Sequence, residues 1–139
     1  MKACTMALAV TLSLVTPALA DPCKAIPDGG PMPSTLYPGA IFSGPVTYVG
    51  DGDSLCVAVG PGPGNLVEVR LEDFYAPELH EPDGEAAKHA LSQLVMRRRL
   101  TCVAGRRSYD RVVASCTLNG RSVGDLLRSN GEREGGRGR

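Results

Sequence analysis

The sequence contains no CxxC pair, no second long apolar run and no surplus of charge of either sign. Each absence removes a class of function. Without paired cysteine spacings, a zinc finger or ribbon has no ligand set. His80 and His89 do not supply one, because neither has a second histidine at ligand spacing, and both read as surface residues. Fifteen basic residues balance fifteen acidic ones, so the chain as a whole has no net field to attract a polyanion. No internal period marks a solenoid or propeller.

What is present begins with MKACTMALAVTLSLVTPALA: a lysine at position 2, an apolar run, and Ala18-Leu19-Ala20, the small-x-small pattern cut by signal peptidase. The run is shorter than the about 20 apolar residues a membrane helix needs. Pro22 before Cys23 spoils a lipoprotein site. Residues 1–20 are therefore expected to be an export signal, and the protein to be secreted or periplasmic, monomeric and off the membrane. The rest of the chain carries a net charge of −1 and suffices for one domain. Its arginines crowd together at 97, 98, 99, 106, 107 and 111, so any nucleic-acid footprint is local.

Beyond the signal stand Cys23, Cys56, Cys102 and Cys116, an even number in an oxidising compartment, which argues for disulfides. Three connectivities are possible. Antiparallel pairing of the apolar runs around Cys102 and Cys116 joins those two, leaving Cys23 to tie the N-terminal segment to Cys56.

Five prolines and three glycines in residues 21–40 deny that segment regular structure, and an extended arm is expected over residues 21–44. Residues 45–131 carry the domain. Val46–Val49, Leu55–Val59 and Val67–Leu71 are β-rich runs separated by GDGD and GPGPG turns. In the third run Val67, Val69 and Leu71 share one face, so Glu68 and Arg70 share the other. Asp83 can cap a helix whose apolar stripe is Ala87, Ala90, Leu91, Leu94 and Val95. The arginines at 97–99 would complement its negative end. Strands over Leu100–Val103 and Val112–Leu118, a turn at Asn119-Gly120 and a helix from Ser122 to Ser129 follow, with Gly131 as a stop. Residues 132–139 are expected to be a flexible tail. Five strands and two capping helices fit a mainly β, α+β fold: a Greek-key barrel of the OB type.

GDGDSL, VRL, APE, GEAAKHAL and DRVVASC occur in this order, and together they resemble the staphylococcal nuclease family, the thermonuclease-like secreted phosphodiesterases. The resemblance covers about residues 46–131. It implies an OB barrel and, in active members, Ca²⁺-dependent attack of water on a DNA or RNA phosphodiester. Asp53 falls on a Ca²⁺-binding carboxylate and Arg70 on the arginine that holds the phosphate. Glu78 falls on the acid that orients or deprotonates the water, and Arg111 on the second arginine, which steadies charge on the phosphate and leaving oxygen. Ala76 replaces a residue that offers only a backbone carbonyl. The chemistry needs these types together. Two guanidiniums and a cation neutralise the transition state while a carboxylate aims the water.

The sequence departs from the family pattern at three positions. Tyr75 replaces a Ca²⁺-coordinating aspartate; Arg107 and Asp110 replace the Asp and Gly of a DRYGR motif. A site short of one acid is expected to bind Ca²⁺ at about millimolar or weaker, with Mg²⁺ or Mn²⁺ as alternatives. Asp73 or Asp51 are the candidates for the missing carboxylate. Tyr75 either packs over the turn or stacks on a base, and Tyr109 is a second candidate for contact with single-stranded DNA or RNA. The resemblance thus implies a nuclease with an altered metal site. The alternative is a non-catalytic OB module that binds oligonucleotides or another anion.

Overall fold

The computed structural model describes residues 21–135; the expected export signal and the last four residues of the tail lie outside them. Strands β1 (Ile41–Val49), β2 (Ser54–Ala58) and β3 (Leu66–Leu71) form an antiparallel meander. Helix α1 (Gly84–Val95) leads to β4 (Arg99–Ser108) and β5 (Arg111–Leu118), and a two-residue β6 (Arg121–Ser122) opens helix α2 (Val123–Ser129). The strand order is β3-β2-β1-β4-β5, and a parallel pairing of β3 with β5 closes it. The result is a closed five-stranded mixed barrel with two helices, the expected OB-like α+β architecture.

Period-2 alternation makes the interior. Val67, Val69 and Leu71 of β3, and Val112, Ala114, Cys116 and Leu118 of β5, are buried together with Leu55, Val57 and Leu100. Helix α1 lays Ala87, Leu91 and Val95 into the same core, with Ala90 and Leu94 partly buried beside them. Arg128 of α2 lies over the ring of buried Phe74, 5.9 Å from its centroid.

The first strand begins at Ile41, not Val46, so the arm is shorter than expected. Residues 41–45 pair with β4 and residues 46–49 with β2. Pro45, which lacks an N–H, sits where the strand changes partners. Gly44 is required at this corner, since a Cβ there would lie 1.8 Å from the Ala58 carbonyl oxygen. β4 likewise runs past the expected end at Val103 and includes Gly105, Arg106, Arg107 and Ser108. A register shift between Ala104 and Arg107 absorbs them, and Tyr109-Asp110 makes the turn, with Tyr109 at φ 57°.

Asp83 occupies the N-cap of α1, but its side chain accepts no capping hydrogen bond. The arginines at 97–99 lie beyond the helix. Arg97 takes a left-handed conformation, and Val46 holds this stretch through bonds from its N–H to the Arg98 carbonyl and from Arg97 N to its own carbonyl, both 2.9 Å. Ser122 does cap α2, accepting from Asp125 N at 3.0 Å. The start of the tail is tied down, with Gly135 N donating to the Tyr75 carbonyl at 3.0 Å and Tyr75 N donating to the Glu134 carboxylate at 3.1 Å.

The arm is held against the barrel. Ile26 and Leu36 enter the core, Ala25 N donates to the Leu66 carbonyl, and the Arg107 guanidinium donates to the Pro27 and Gly30 carbonyls. Both expected disulfides are present, Cys23–Cys56 and Cys102–Cys116, the latter between directly paired residues of β4 and β5. Two disulfides fit a non-cytoplasmic compartment. Among the described residues no helix is long and apolar enough to cross a membrane.

Replacing Cys23 and Cys56 together by serine is expected to lower stability by roughly 3 to 4 kcal/mol, read from urea unfolding. Gly44→Ala is expected to cost at least as much, because the steric conflict is with backbone.

Candidate functional site

The GDGD turn between β1 and β2 is built by its own acids. Asp51 Oδ1 accepts from Asp53 N at 3.0 Å and from Ser54 Oγ at 2.8 Å, a side-chain turn that local sequence suffices to form. Its depth is a tertiary matter. A Cβ on Gly52 would lie 2.4 Å from the Ala76 Cβ and 2.7 Å from that of Ala87, so glycine lets the turn press against both the Tyr75–Pro77 segment and α1.

This seats Asp53 in a buried position, only 4% exposed. Its Oδ2 accepts from Ala76 N at 3.0 Å and lies 3.7 Å from the Arg70 guanidinium. Its backbone carbonyl accepts from Leu71 N at 2.8 Å, locking the turn to the end of β3. Burial, then the neighbouring Asp51 charge, pushes the Asp53 carboxyl up to about 7. Arg70 and the Ala76 N–H pull the other way and are outweighed, since the ion pair is loose and the carboxylate has lost its water.

Arg70 pairs across the sheet with Ser54 on β2 and in parallel with Val113 on β5. Two residues back on both strands, Glu68 and Arg111 are therefore register neighbours on the same outward face. Both are half-buried. Arg111 forms no ion pair or side-chain hydrogen bond among the described residues. Glu68 is pushed up to about 8, first by burial, then by a hydrogen bond with Asp21 and its charge and by Asp110, with Arg111 opposing.

Glu78 follows two residues after Ala76. Its backbone is fixed by donation from its N to Glu81 Oε2 at 2.8 Å and from Glu81 N to its carbonyl at 2.8 Å. A Cβ on Gly84 would come within 2.0 Å of that carbonyl, so helix α1 starts hard against this turn. The Glu78 carboxylate is half-buried and has no hydrogen bond or ion pair among the described residues.

The expected supplementary acids separate. Asp51 stays beside Asp53. Asp73 is committed elsewhere, accepting from Ser122 Oγ through its carboxylate and from Arg128 through its carbonyl at 2.8 Å, at the start of α2. Its Oδ2 thus serves the α2 junction and not the Asp53 turn. Tyr75 is half-buried with its backbone held by Glu134 and Gly135, and Tyr109 is 82% exposed at the hairpin tip. Asp21, Cys23 and Cys56 bring three potential metal-ligand atoms within 4.8 Å, but both sulfurs are consumed by the disulfide. An apolar concavity of about 350 Å³ lined by Leu36, Phe42, Val59 and Val67 lies at the opposite ends of β2 and β3, away from these charges.

Sequence reasoning passed over Glu68, Asp21 and Glu134. Glu68 had a signal, its alternation with Arg70; Asp21 and Glu134 come from distant chain ends and had none.

The folded protein keeps the Asp53 proton up to about pH 7, whereas the unfolded chain releases it near 3.8. Between these values the folded state binds more protons, so this contribution to stability is full at low pH and is lost as pH rises through about 7. Glu68 acts with the same sign through about 8. In chelator, Asp53→Asn is therefore expected to gain stability relative to the parent as pH rises from about 4 to about 7, read as diverging urea midpoints.

No family model matches the sequence, and no curated protein matches it.

Proposed function

We propose that the protein is an exported phosphodiesterase of the thermonuclease-like kind, hydrolysing single-stranded DNA or RNA by metal-assisted attack of water. The observation that carries this reading is the convergence on one barrel face of Arg70, Arg111 and the buried Asp53, with the Ala76–Glu78 turn bonded directly to Asp53. A purely structural barrel has no need of two half-buried arginines on one outward face, of which Arg111 has no ion pair among the described residues.

Asp53 and Asp51 are adjacent hard oxygen donors, the chemistry Ca²⁺, Mg²⁺ or Mn²⁺ requires, and they would hold the ion with water completing its shell. Bound there, the cation would polarise a phosphoryl oxygen and neutralise developing charge. Arg70 holds the phosphate in a bidentate grip, fixing it in line with the water. Glu78, free of other partners, takes the water proton as the P–O bond forms. Arg111 stabilises the charge gathering on the leaving side. Loss of one such electrostatic partner costs typically two to three decades of rate.

A second reading, an anion-binding module without turnover, draws support from Tyr75. Its side chain supplies no carboxylate, and the Glu134–Gly135 segment is bonded to its backbone. This reading expects oligonucleotide binding that weakens steeply with salt and no cleavage with any metal.

Cleavage of single-stranded DNA is expected with Ca²⁺, Mg²⁺ or Mn²⁺ and none in chelator. Glu78→Gln should slow it by about 100-fold or more. Tyr75→Asp should raise the rate and lower the Ca²⁺ concentration for half-maximal activity. Cleavage that persists in chelator, or in Glu78→Gln at the parent rate, overturns the assignment.

A further inference from the structure

The outward face of β3 carries an acid, Glu68, that the two arginines alone do not explain. Glu68 stands two residues from Arg70 and in register with Arg111 across the β3–β5 pairing. It pairs directly with Cys56 on β2, and Cys56 with Tyr48 on β1. The Cys23–Cys56 disulfide brings the arm down onto this row. Asp21 Oδ1 accepts from Cys23 N at 2.8 Å and lies 3.6 Å from Cys56 Sγ, which seats a carboxylate over the strand next to Glu68.

The groups facing Glu68 are thus Asp21 from the arm, Tyr48 from β1, Arg70 from its own strand, and Asp110 and Arg111 from the β4–β5 hairpin. The Asp51 charge reaches the same row through Tyr48, which burial, Asp21, Glu68 and Asp51 together push up. Burial, then Asp21 and Asp110, outweighs the opposing charge of Arg111, and the acid holds its proton through neutral pH.

We propose that Glu68 is the general acid of the hydrolysis, donating its proton to the leaving oxygen beside Arg111. The inference rests on the hydrolase reading above. A sugar alkoxide is a poor leaving group, and a neutral acid at the end of the cleaved bond removes that barrier. The water oxygen bonds to phosphorus and its proton passes to Glu78. The bond from phosphorus to the ester oxygen breaks, and that oxygen takes the Glu68 proton and departs as an alcohol. Glu68 then regains a proton from solvent and Glu78 returns one, so phosphodiester plus water gives phosphomonoester plus alcohol. Arg111 is the electrostatic half of this pair and Glu68 the proton source. The disulfide-tethered arm serves as the device that keeps the acid protonated.

The test compares parent and Glu68→Gln on two substrates with the assay metal: a dinucleotide, which leaves as a sugar alkoxide, and a nucleotide p-nitrophenyl ester, whose leaving group needs no acid. The expected result is a loss of about 100-fold to 10,000-fold on the dinucleotide, a change within about 3-fold on the ester, and disappearance of the alkaline limb near pH 8. Asp21→Asn, which leaves Glu68 intact, should move that limb to lower pH. Equal rates for parent and Glu68→Gln, or equal loss on both substrates by a variant that still melts cooperatively, overturns the proposal and leaves the hydrolase reading standing. If Glu68→Gln does not fold, the Asp21→Asn limb decides, and an unmoved limb overturns it. A parent inactive on both substrates with every metal sinks the hydrolase reading, and the Glu68 assignment falls with it.

Discussion

The parallel pairing of β3 with β5 is the constraint on which the rest of this structure depends. Among the named strands of the described residues it is the parallel pairing, and it cannot form until α1 and β4 have carried the chain around. It does two things at once. Inward, it joins Val69 and Leu71 to Val112 and Ala114 and seals the core. Outward, the same register aligns Glu68 with Arg111 and Arg70 with Val113. The hydrophobic term that closes the barrel thereby assembles a charged face at no further cost in chain entropy, because the period of the strand leaves no other place for these side chains.

Asp53 shows how packing sets chemistry. Its turn is local, made by Asp51 and Ser54, and would form on almost any hairpin. Its character comes from being pressed against the Ala76 backbone and α1, a contact that depends on the missing side chain of Gly52. Removing water from the carboxyl outweighs the help of Arg70 at 3.7 Å, and the acid becomes one that holds its proton to about neutrality. A divalent cation would reverse that balance, and the proposed metal role and the tension in the buried acid have the same origin.

The N-terminal arm is a structural member of the domain. The disulfide to Cys56 fixes its start and Arg107 holds its middle at Pro27 and Gly30, and Ile26 and Leu36 extend the core beneath it. Arg107 is turned to holding backbone carbonyls of the arm and of its own hairpin. At the other end of the described residues, Glu134 and Gly135 bond to the backbone of Tyr75.

The amino-acid sequence by itself determined the elements and most of their chemistry. Alternation over Val67–Leu71 settled that Glu68 and Arg70 face outward, the stripe from Ala87 to Val95 settled α1, and apolar runs around Cys102 and Cys116 settled that disulfide; these are short-range patterns with fixed periods. Boundaries were less legible where neighbours override composition. Gly44 reads as the end of an arm yet forms a barrel corner with Pro45, and β4 runs on through a bulge to Ser108, past the end expected at Val103. Only the tertiary structure decided that Asp51 stays with Asp53 while Asp73 serves α2, that Asp21 lies over Glu68, and that the tail reaches Tyr75. Those outcomes depend on contacts between residues far apart in the chain, where desolvation and the charges of unrelated segments, not local propensity, set both position and protonation.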